Sequence, residues 1–222
     1  MEKVSVIIPT YNRFKFVLNA INSIKSQTYN NIEIIVINDC STEKEYYEYD
    51  WDVNIIHLPQ NTKELFGYAS PGYVRNKGIE QSTGKYIAFC DDDDIWLPHK
   101  LELQINAMNR TGCKMSSTEG FIGNGVYENI QYKKHLSEHY FFYVNFEEIW
   151  NKEYIIPMNY MICSSVIIEK EILDKIDNFK NIRPPEDYDC WLRALEHTTS
   201  VFIKEPCVYY DGNHGYGRNY EE

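Results

Sequence analysis

The chain has 222 residues, of which 43% are hydrophobic, and it carries a formal net charge of −11 with a pI of about 5.0. This length favours one domain with a full core, and the absence of a basic stripe argues against nucleic acid and anionic membrane surfaces as partners. No apolar run reaches the roughly 18 residues that indicate a membrane-spanning helix.

The first third of the chain alternates strand and helix patterns. Val4–Ile8 and Glu33–Ile37 are short apolar runs that predict strands. Between them, apolar residues recur at helical spacing from Phe14 to about Thr28. Strand, helix and strand with a crossover of this length predict a right-handed βαβ unit with parallel strands. We therefore expect an α/β fold with a nucleotide-binding sheet.

The next segments continue this pattern with shorter elements. Glu43 to Asp52 is acidic and rich in tyrosine, which predicts a solvated helix, and Asn54–Leu58 predicts a third strand. Residues 60–73 contain two glycines and a proline and are predicted to be a loop. A helix is expected from Tyr73 to Ser82, ended by Gly84.

Four consecutive acidic residues follow the next predicted strand. Tyr86–Cys90 is a buried-type apolar run, and Asp91–Asp94, here called the aspartate cluster, comes directly after it. Two carboxylates about 4 Å apart repel by roughly 4 kcal/mol at an effective dielectric near 20. Ligand sites of open α/β sheets lie at the carboxyl ends of strands, so we expect a divalent cation here. The alternative is a solvated acidic turn.

The second half of the sequence is less regular. A helix is predicted from Leu97 to Arg110, with Asp94 or a neighbour as its cap, whereas residues 115–150 give no clear pattern. The aromatic residues between Lys133 and Trp150 favour a core or lid over a sugar-stacking surface. Further predictions are a strand over Met161–Ile168, a helix over Glu169–Ile176, a loop over Asp177–Pro185, a helix from about Asp187 to Leu195, and strands at residues 201–203 and 208–210.

The six cysteines are scattered, and no two form a CxxC pair. This spacing predicts neither a zinc site nor a disulfide framework. The N-terminus enters a strand at once, so no secretory signal is expected. A reduced, cytoplasmic location fits best, with attachment to a membrane through partners left open.

Four stretches in this order resemble the family 2 glycosyltransferases, which have the GT-A fold. They are SVIIPTYNR, INDCSTE, the Arg75-Asn76 pair before YIAFCDDDDIW, and PPEDYDCWLRALE. The resemblance runs from about Val4 to about Tyr210. It implies one GT-A domain over residues 1–222, with a Rossmann-like, mostly parallel central sheet flanked by helices. Residues 1–94 would bind the nucleotide-sugar and residues 95–222 the acceptor.

The same resemblance implies the reaction class. A GT-A enzyme moves a sugar from a nucleotide-diphospho-sugar, here of UDP, GDP or dTDP type, to the hydroxyl of a carbohydrate-type acceptor. Mn²⁺ or Mg²⁺ would act as the Lewis acid that stabilises the diphosphate leaving group. The transfer is expected to be inverting, and the oligomeric state is left open.

The resemblance places donor contacts in three regions. Asp39 matches the aspartate that accepts a hydrogen bond from the nucleobase, and Cys40 stands where the family more often has glycine. Arg75 matches a basic residue near the donor. The alternatives are that Asp39 caps a helix and that Arg75 is a surface arginine. The loop after the first strand supplies the remaining donor residues, Pro9, Thr10, Tyr11 and Arg13.

The metal ligands are implied within the aspartate cluster. Asp93 matches the family's metal-ligand aspartate, and Asp91 matches the position that contacts ribose or metal. Asp92 is a further donor contact, but the family usually has a small residue there, so the ligand set within the cluster stays open. His214 is a candidate third ligand through its neutral imidazole; the alternative is a histidine in a flexible tail.

Asp187 matches the family's catalytic base. An inverting transfer needs one carboxylate to accept the acceptor's proton as its oxygen attacks the anomeric carbon. The alternative is that Glu186 and Asp187 only stabilise the positive end of the helix that contains Trp191.

Three rival functions are weaker. A sugar nucleotidyltransferase would have a glycine-rich phosphate loop after its first strand, but this chain has PTYNR. A non-catalytic module that binds sugars or nucleotide-sugars would not need all of Asp39, Asp91, Asp93 and Asp187. A calcium-binding protein would space its aspartates, whereas these are adjacent.

Overall fold

The computed structural model of the protein describes residues 1–123, 140–141 and 146–212. Its first strand β1 (Val4–Thr10), helix α1 (Phe14–Lys25) and strand β2 (Ile32–Asn38) form the predicted βαβ unit, because β1 and β2 are paired in parallel from Val4↔Ile32 to Thr10↔Asn38. Strand β3 (Asn54–His57) extends this sheet in parallel beside β2. These elements confirm the predicted βαβ unit and the third strand.

Short helices between β2 and the next central strand differ from the prediction. Helix α2 covers only Glu45–Glu48 instead of most of Glu43–Asp52. Helix α3 (Thr62–Phe66) lies inside the predicted loop; the Asn61 side chain accepts a hydrogen bond from the Lys63 N–H at its start, and Gly67 ends it with a φ of +76°. Helix α4 (Pro71–Gln81) begins two residues earlier than predicted because Pro71 fits the first helical turn.

The aspartate cluster joins two strands. Strand β4 (Tyr86–Phe89) pairs in parallel with β1, and β5 (Ile95–Trp96) pairs with a late strand of the chain. The prediction that Asp94 caps helix α5 (Lys100–Thr111) is wrong, since Ile95 and Trp96 are extended and the residue before the helix is His99. Gly112 ends α5 as expected, with a φ of +76°.

The second half adds antiparallel pairings to the sheet. Two predictions fail here. Most of Met161–Ile168 is not a strand, because a 3₁₀ turn at Cys163–Ser165 precedes a short strand. The two predicted late strands are a single strand whose pairing shifts in register opposite Thr118 to Gly120. The elements are β6 (Met115–Gly123), β7 (Ile149–Trp150), α6 (Lys152–Ile155), β8 (Ile167–Glu169), α7 (Lys170–Lys175), α8 (Glu186–Ala194) and β9 (Ser200–Asp211).

One mixed sheet connects all strands in the described part of the chain. Its order is β3-β2-β1-β4-β8-β6-β9-β5, with β7 paired to β9. The pairings among β1, β2, β3 and β4 are parallel, whereas β8 is antiparallel to both of its neighbours. Helices cover the sheet, and its two faces bury separate apolar clusters. The α/β class and the single domain are confirmed, and the second half also contains a parallel pairing, between β6 and β9.

The aromatic segment before residue 150 contributes to the core. Phe146 and Trp150 are buried, and the Trp150 ring stacks on Phe202 with 4.5 Å between centroids. This confirms the core interpretation for these two residues; Phe142 and Tyr143 lie outside the described residues. Within the described ranges, no helix has the length and apolar character needed to cross a bilayer.

Candidate active site

A cavity of about 720 Å³ lies at the carboxyl ends of β1, β2 and β4. Parallel strands place their carboxyl ends at one edge of the sheet, which is where α/β proteins bind ligands. The cavity brings together residues that the sequence analysis had assigned from four separate stretches, 9–13, 39, 75 and 91–93, and Asp187 as well. The predicted residues that line it are Pro9, Thr10, Tyr11, Arg13, Asp39, Arg75, Asp91, Asp92, Asp93 and Asp187.

Asp39 sits at the end of β2, held by the start of α3. Its Oδ1 accepts the Thr62 N–H at 2.9 Å, and its Oδ2 accepts the Thr62 hydroxyl at 2.6 Å. Lys44 precedes α2, so Asp39 does not cap that helix; it accepts instead from the first residue of α3, a role that can coexist with a donor contact. The next residue, Cys40, has a φ of +60°, in the left-handed region that favours glycine.

The loop after β1 is fixed against α2. The Thr10 and Tyr46 hydroxyls are 2.5 Å apart, and the Tyr46 hydroxyl also accepts the Arg13 N–H at 3.2 Å. Burial raises the pKa of Tyr46 above its usual value, so Tyr46 is a neutral donor and acceptor here. Although the sequence predicted only a solvated helix there, Tyr46 is the buried residue that orients the loop.

Two arginines compensate the charge of the aspartate cluster on its cavity side. Arg13 Nη1 lies 3.0 Å from Asp92 Oδ1 and 2.9 Å from Asp93 Oδ2. Arg75 Nη2 lies 2.6 Å from Asp91 Oδ1, and its Nη1 lies 2.5 Å from Glu186 Oε1. Because the Arg75 side chain is only 5% exposed, the alternative of a surface arginine is wrong.

Further hydrogen bonds hold the cluster from behind and at the edge of the cavity, which Asp211 lines. The Asp91 N–H donates to Ser164 Oγ at 2.9 Å, and the Trp96 indole N–H donates to the Ser164 carbonyl at 2.9 Å. Asp94 Oδ1 accepts the Asp211 N–H at 3.0 Å, which ties the cluster to the end of β9. Burial, followed by the charges of Asp93 and Asp91, raises the pKa of Asp94 well above its usual range.

The carboxylates suit a divalent cation that also binds substrate oxygens. Burial, followed by the charge of Asp92, raises the pKa of Asp93, although Arg13 opposes the increase. Burial and the neighbouring carboxylates therefore outweigh the charge of Arg13 at this position. Among the described residues, no three His, Cys, Asp or Glu side chains are grouped to hold a metal by themselves. Mg²⁺, however, is usually bound through one or two carboxylates plus substrate phosphates, so this site fits such an ion.

Asp187 lies near the start of α8, on the wall of the cavity formed by the second half of the chain. Its Oδ1 accepts the N–H of Tyr188 at 2.7 Å. Burial raises the pKa of Asp187 to about 6; Glu186 adds to the increase and Arg75 opposes it. A carboxylate with this pKa is ionised at neutral pH and is a stronger base than an ordinary aspartate.

Sequence reasoning missed several residues that build the site, and one predicted residue is not described. Glu186 was considered only as a helix-end residue, yet it is buried and pairs with Arg75 across 111 positions of sequence. Ser164 and Asp211 carried no motif, because their contacts exist only in the folded chain. Glu186 had one usable signal, a second carboxylate directly before the predicted base. His214 lies outside the described residues.

Comparisons with known proteins agree with this architecture. The Glycosyl transferase family 2 model matches residues 5–176. The putative teichuronic acid biosynthesis glycosyltransferase TuaG of Bacillus subtilis is 26% identical over 211 residues, covering 92% of this chain and 77% of TuaG. The uncharacterized glycosyltransferase RP339 of Rickettsia prowazekii is 32% identical over 215 residues, covering 92% of this chain but 62% of the relative.

Solved structures share the fold at low sequence identity. S. aureus TarS 1–349 in complex with UDP-GlcNAc has a TM-score of 0.71 at 21% identity, covering 96% of this chain and 60% of that one. The mannosyltransferase PcManGT from Pyrobaculum calidifontis, in complex with GDP-Man and Mn²⁺, has a TM-score of 0.67 at 14% identity and is covered over 58% of its length. This chain thus spans about 60% of each of these two proteins. The family match over most of the sequence shows that the chain belongs to glycosyl transferase family 2.

Proposed function

We propose that this protein transfers a sugar, with inversion, from a nucleotide-diphospho-sugar to a hydroxyl of a carbohydrate-type acceptor. The observation that carries the proposal is the arrangement of one cavity. Asp39 lies on its β2 side, the aspartate cluster lies at the end of β4, and Asp187 faces it from α8. In this order, the three groups would face the nucleobase of the donor, its diphosphate and the acceptor.

The donor is assigned to residues 1–94. Asp39 accepts from the nucleobase, while Pro9, Thr10 and Tyr11 lie along the base and ribose. The buried Arg75 pairs with Asp91 at the end of β4 and so holds that carboxylate beside the donor. Because the TarS structure holds UDP-GlcNAc and the PcManGT structure holds GDP-Man, UDP and GDP sugars are the first donors to test, with dTDP sugars third.

Asp91 and Asp93 would hold Mn²⁺ or Mg²⁺, with Asp92 beside them; the candidate third ligand, His214, is outside the described residues. When bound, the cation supplies the positive charge that stabilises the departing nucleoside diphosphate. The proposal is supported by the adjacent carboxylates of Asp91, Asp92 and Asp93 on the wall of the cavity and by the Mn²⁺ in the complex of PcManGT. The buried network behind the cluster keeps these carboxylates oriented toward the cavity.

Asp187 is the proposed general base, and residues 95–222 form the acceptor side. Its carboxylate accepts the proton of the acceptor hydroxyl as that oxygen attacks the anomeric carbon. Glu186 does not compete for this role, because its buried carboxylate is paired with Arg75. Because both parts of the chain line one cavity, donor and acceptor would be held close together, which lowers the entropic cost of the transfer reaction.

The cytoplasm is the proposed location. All six cysteines are free thiols and five of them are buried, which fits a reducing compartment.

A thermal-shift panel tests the donor proposal. UDP-, GDP- and dTDP-sugars are each added with Mn²⁺ or with EDTA, and the melting temperature is recorded. A ligand at 100 times its Kd stabilises by roughly 2.7 kcal/mol, so one nucleotide should raise the melting temperature, and only with metal. Asp39→Asn is the matched variant and should lose most of the shift. If no donor stabilises the wild type, the proposed donor site is wrong.

A further inference from the structure

Arg183 differs from the other arginines of the described chain because it has no carboxylate partner. It lines the cavity and is exposed. Within the described residues it forms no ion pair, and its interaction there is with the Tyr68 ring, whose centroid lies 5.4 Å from its Cζ. The remaining arginines of the described ranges all pair with carboxylates, namely Arg13, Arg75, Arg110 and Arg193. The guanidinium of Arg183 is therefore available to a ligand.

Neighbouring side chains, rather than an opposite charge, set the position of Arg183. The Tyr68 hydroxyl donates to the Asn181 carbonyl at 3.1 Å, and the Ser70 hydroxyl donates to Asn181 Oδ1 at 2.7 Å. Tyr68 and Ser70 lie between α3 and α4, so these bonds join the loop before α8 to the first half of the chain. A cation–π contact uses no hydrogen-bond acceptor. The planar N–H fork of the guanidinium thus remains free to bind a carboxylate or a phosphate.

In the proposed function, Arg183 lies on the acceptor side of the cavity. Pro184 and Pro185, which also line the cavity, connect it to α8, where Asp187 is the proposed base. Because each proline ring fixes its own φ angle, the backbone between Arg183 and Asp187 has little freedom. An anion bound by Arg183 would be held at a set position relative to the acceptor hydroxyl.

The charge of the cavity wall explains why an unpaired cation matters there. Among the described residues on this wall, the acidic side chains outnumber the basic ones, and the basic ones are all arginines. Arg13 and Arg75 are already paired with the aspartate cluster. The chain as a whole carries a net charge of −11. An anionic substrate group therefore needs a local positive charge, and on the described wall Arg183 is the cation that no carboxylate neutralises.

We propose that Arg183 binds an anionic group of the acceptor, a carboxylate or a phosphate, so that the protein selects acceptors that carry a negative charge on the molecule with the reactive hydroxyl. This inference rests on the proposed glycosyl transfer and narrows its acceptor class. The donor diphosphate is assigned to the aspartate cluster and its cation. A contact of Arg183 with the donor is thus the alternative that the experiment must exclude.

Binding of matched sugars to Arg183→Gln tests the proposal without a transfer reaction. The Kd values of glucose, glucuronic acid and glucose 6-phosphate, and of the same three forms of galactose and mannose, are measured by nuclear magnetic resonance titration without metal or nucleotide. At least one charged form should bind the wild type about tenfold more tightly than its neutral parent, as expected for a hydrogen bond to a charged group. Arg183→Gln should lose this preference, and Arg183→Lys should keep part of it.

The carboxylate and the phosphate are distinguished within each set of three sugars, since the tighter charged form identifies the group that Arg183 binds. The preference should weaken as the salt concentration rises, because an exposed charge is screened. Arg110→Gln is the matched control. Arg110 is also exposed, but it pairs with Glu148 and is not among the residues that line the cavity, so this variant should keep the wild-type preference.

A second arm measures the donor. With saturating Mn²⁺, the Kd values of UDP, GDP and dTDP are determined by calorimetry, and Arg183→Gln should match the wild type. If the variant binds its nucleotide more weakly and keeps its preference among the sugars, Arg183 belongs to the donor site and the inference is overturned.

The remaining outcomes separate the inference from the proposed function. If no charged sugar binds the wild type more tightly than its neutral parent, or if Arg183→Gln retains the preference, the anionic acceptor is ruled out while donor binding stays intact. Failure of the proposed function appears separately, as the absence of nucleotide-sugar binding in the wild type. A preference that disappears in Arg183→Gln and persists in Arg110→Gln supports the inference.

Discussion

The two sides of the aspartate cluster are built from different kinds of contact. On the cavity side, Arg13 and Arg75 pair with the carboxylates. On the rear side, Ser164 accepts the Asp91 N–H, and Trp96 donates to the Ser164 carbonyl. Charge pairs can exchange with ligands, whereas hydrogen bonds buried behind them fix a position. The rear contacts therefore fix the position of the cluster, whereas the cavity side is where the proposed substrates would bind.

Further behind the cluster, the rear side is almost fully buried. Lys100 Nζ donates to Gln104 Oε1 at 2.8 Å and lies 3.9 Å from the centroid of the Trp96 ring. Gln104 Nε2 donates to the Ser165 carbonyl at 2.9 Å. This network links α5 to the 3₁₀ turn that contains Ser164. Four substitutions test how the two sides differ.

Asp187→Asn on the cavity side should have the largest effect. Loss of the general base should lower the transfer rate about 100-fold or more, while donor binding is unchanged. Since burial raises the pKa of Asp187 to about 6, the wild-type rate should rise with pH through about 6 as the carboxylate ionises. Initial rates from pH 5 to 8 check this. Asp189→Asn is the control, because Asp189 pairs with Arg193 on the same helix. Retained turnover in the Asp187 variant would rule the assignment out.

Arg75→Gln should cause the largest loss of stability. Removing one partner of a buried ion pair typically costs about 3–5 kcal/mol, and here Asp91 and Glu186 both lose their counter-charge. Urea unfolding measures the change. Lys77→Gln, which removes a surface pair with Glu80 on the same helix, should cost below about 0.5 kcal/mol. Equal losses of unfolding free energy in the two variants would show that the ion pairs of Arg75 do not stabilise the cavity side.

Ser164→Ala breaks the rear side at one hydrogen bond. The Asp91 N–H would lose its acceptor, which costs about 1–3 kcal/mol for a buried donor. The Kd for Mn²⁺ should also rise, because the Asp91 backbone loses this contact and, among the described residues, only Arg75 still holds its carboxylate from the cavity side. Ser26→Ala is the control, since the Ser26 hydroxyl donates to a carbonyl at the exposed end of α1. A stability loss without any change in metal affinity would mean that the rear side does not orient the cluster.

Sequence patterns predicted the parts of this site that are local. The first βαβ unit follows from apolar runs of strand and helix length. The resemblance to the family placed Asp39, Asp91 and Asp187, all of which line the cavity, although their roles remain proposals. Cys40, noted because the family more often has glycine there, has a φ of +60°, which explains the preference for a residue without a side chain.

The remaining features depend on contacts between distant segments. Helix α3 was missed because it has only five residues, and its ends are set by Asn61 and Gly67 rather than by an apolar period. The 3₁₀ turn at Cys163–Ser165 lies between apolar residues that predicted a strand, but the chain curves where Ser164 meets the aspartate cluster. The pairing of Arg75 with Glu186 spans 111 positions, and a single sequence shows no such coupling.

Lys100→Met should have a distinctive dependence on pH. Burial lowers the pKa of Lys100 to about 7, whereas an unfolded lysine titrates near 10.4. Between these values the unfolded chain binds more protons, so the wild type gains stability relative to Lys100→Met as pH rises from about 7 toward 10. Lys25→Met, at the surface, should show no such trend. Urea unfolding at pH 6.5, 8 and 9.5 measures the difference.

The outcome bears directly on the contrast between the two sides. A rising difference means that Lys100 is largely uncharged above neutral pH, so the rear side orients the cluster through neutral hydrogen bonds. A flat difference would instead show that the contact with the Trp96 ring keeps Lys100 protonated. The rear side would then contribute a fixed positive charge, and the separation between a charged front and a neutral rear would no longer hold.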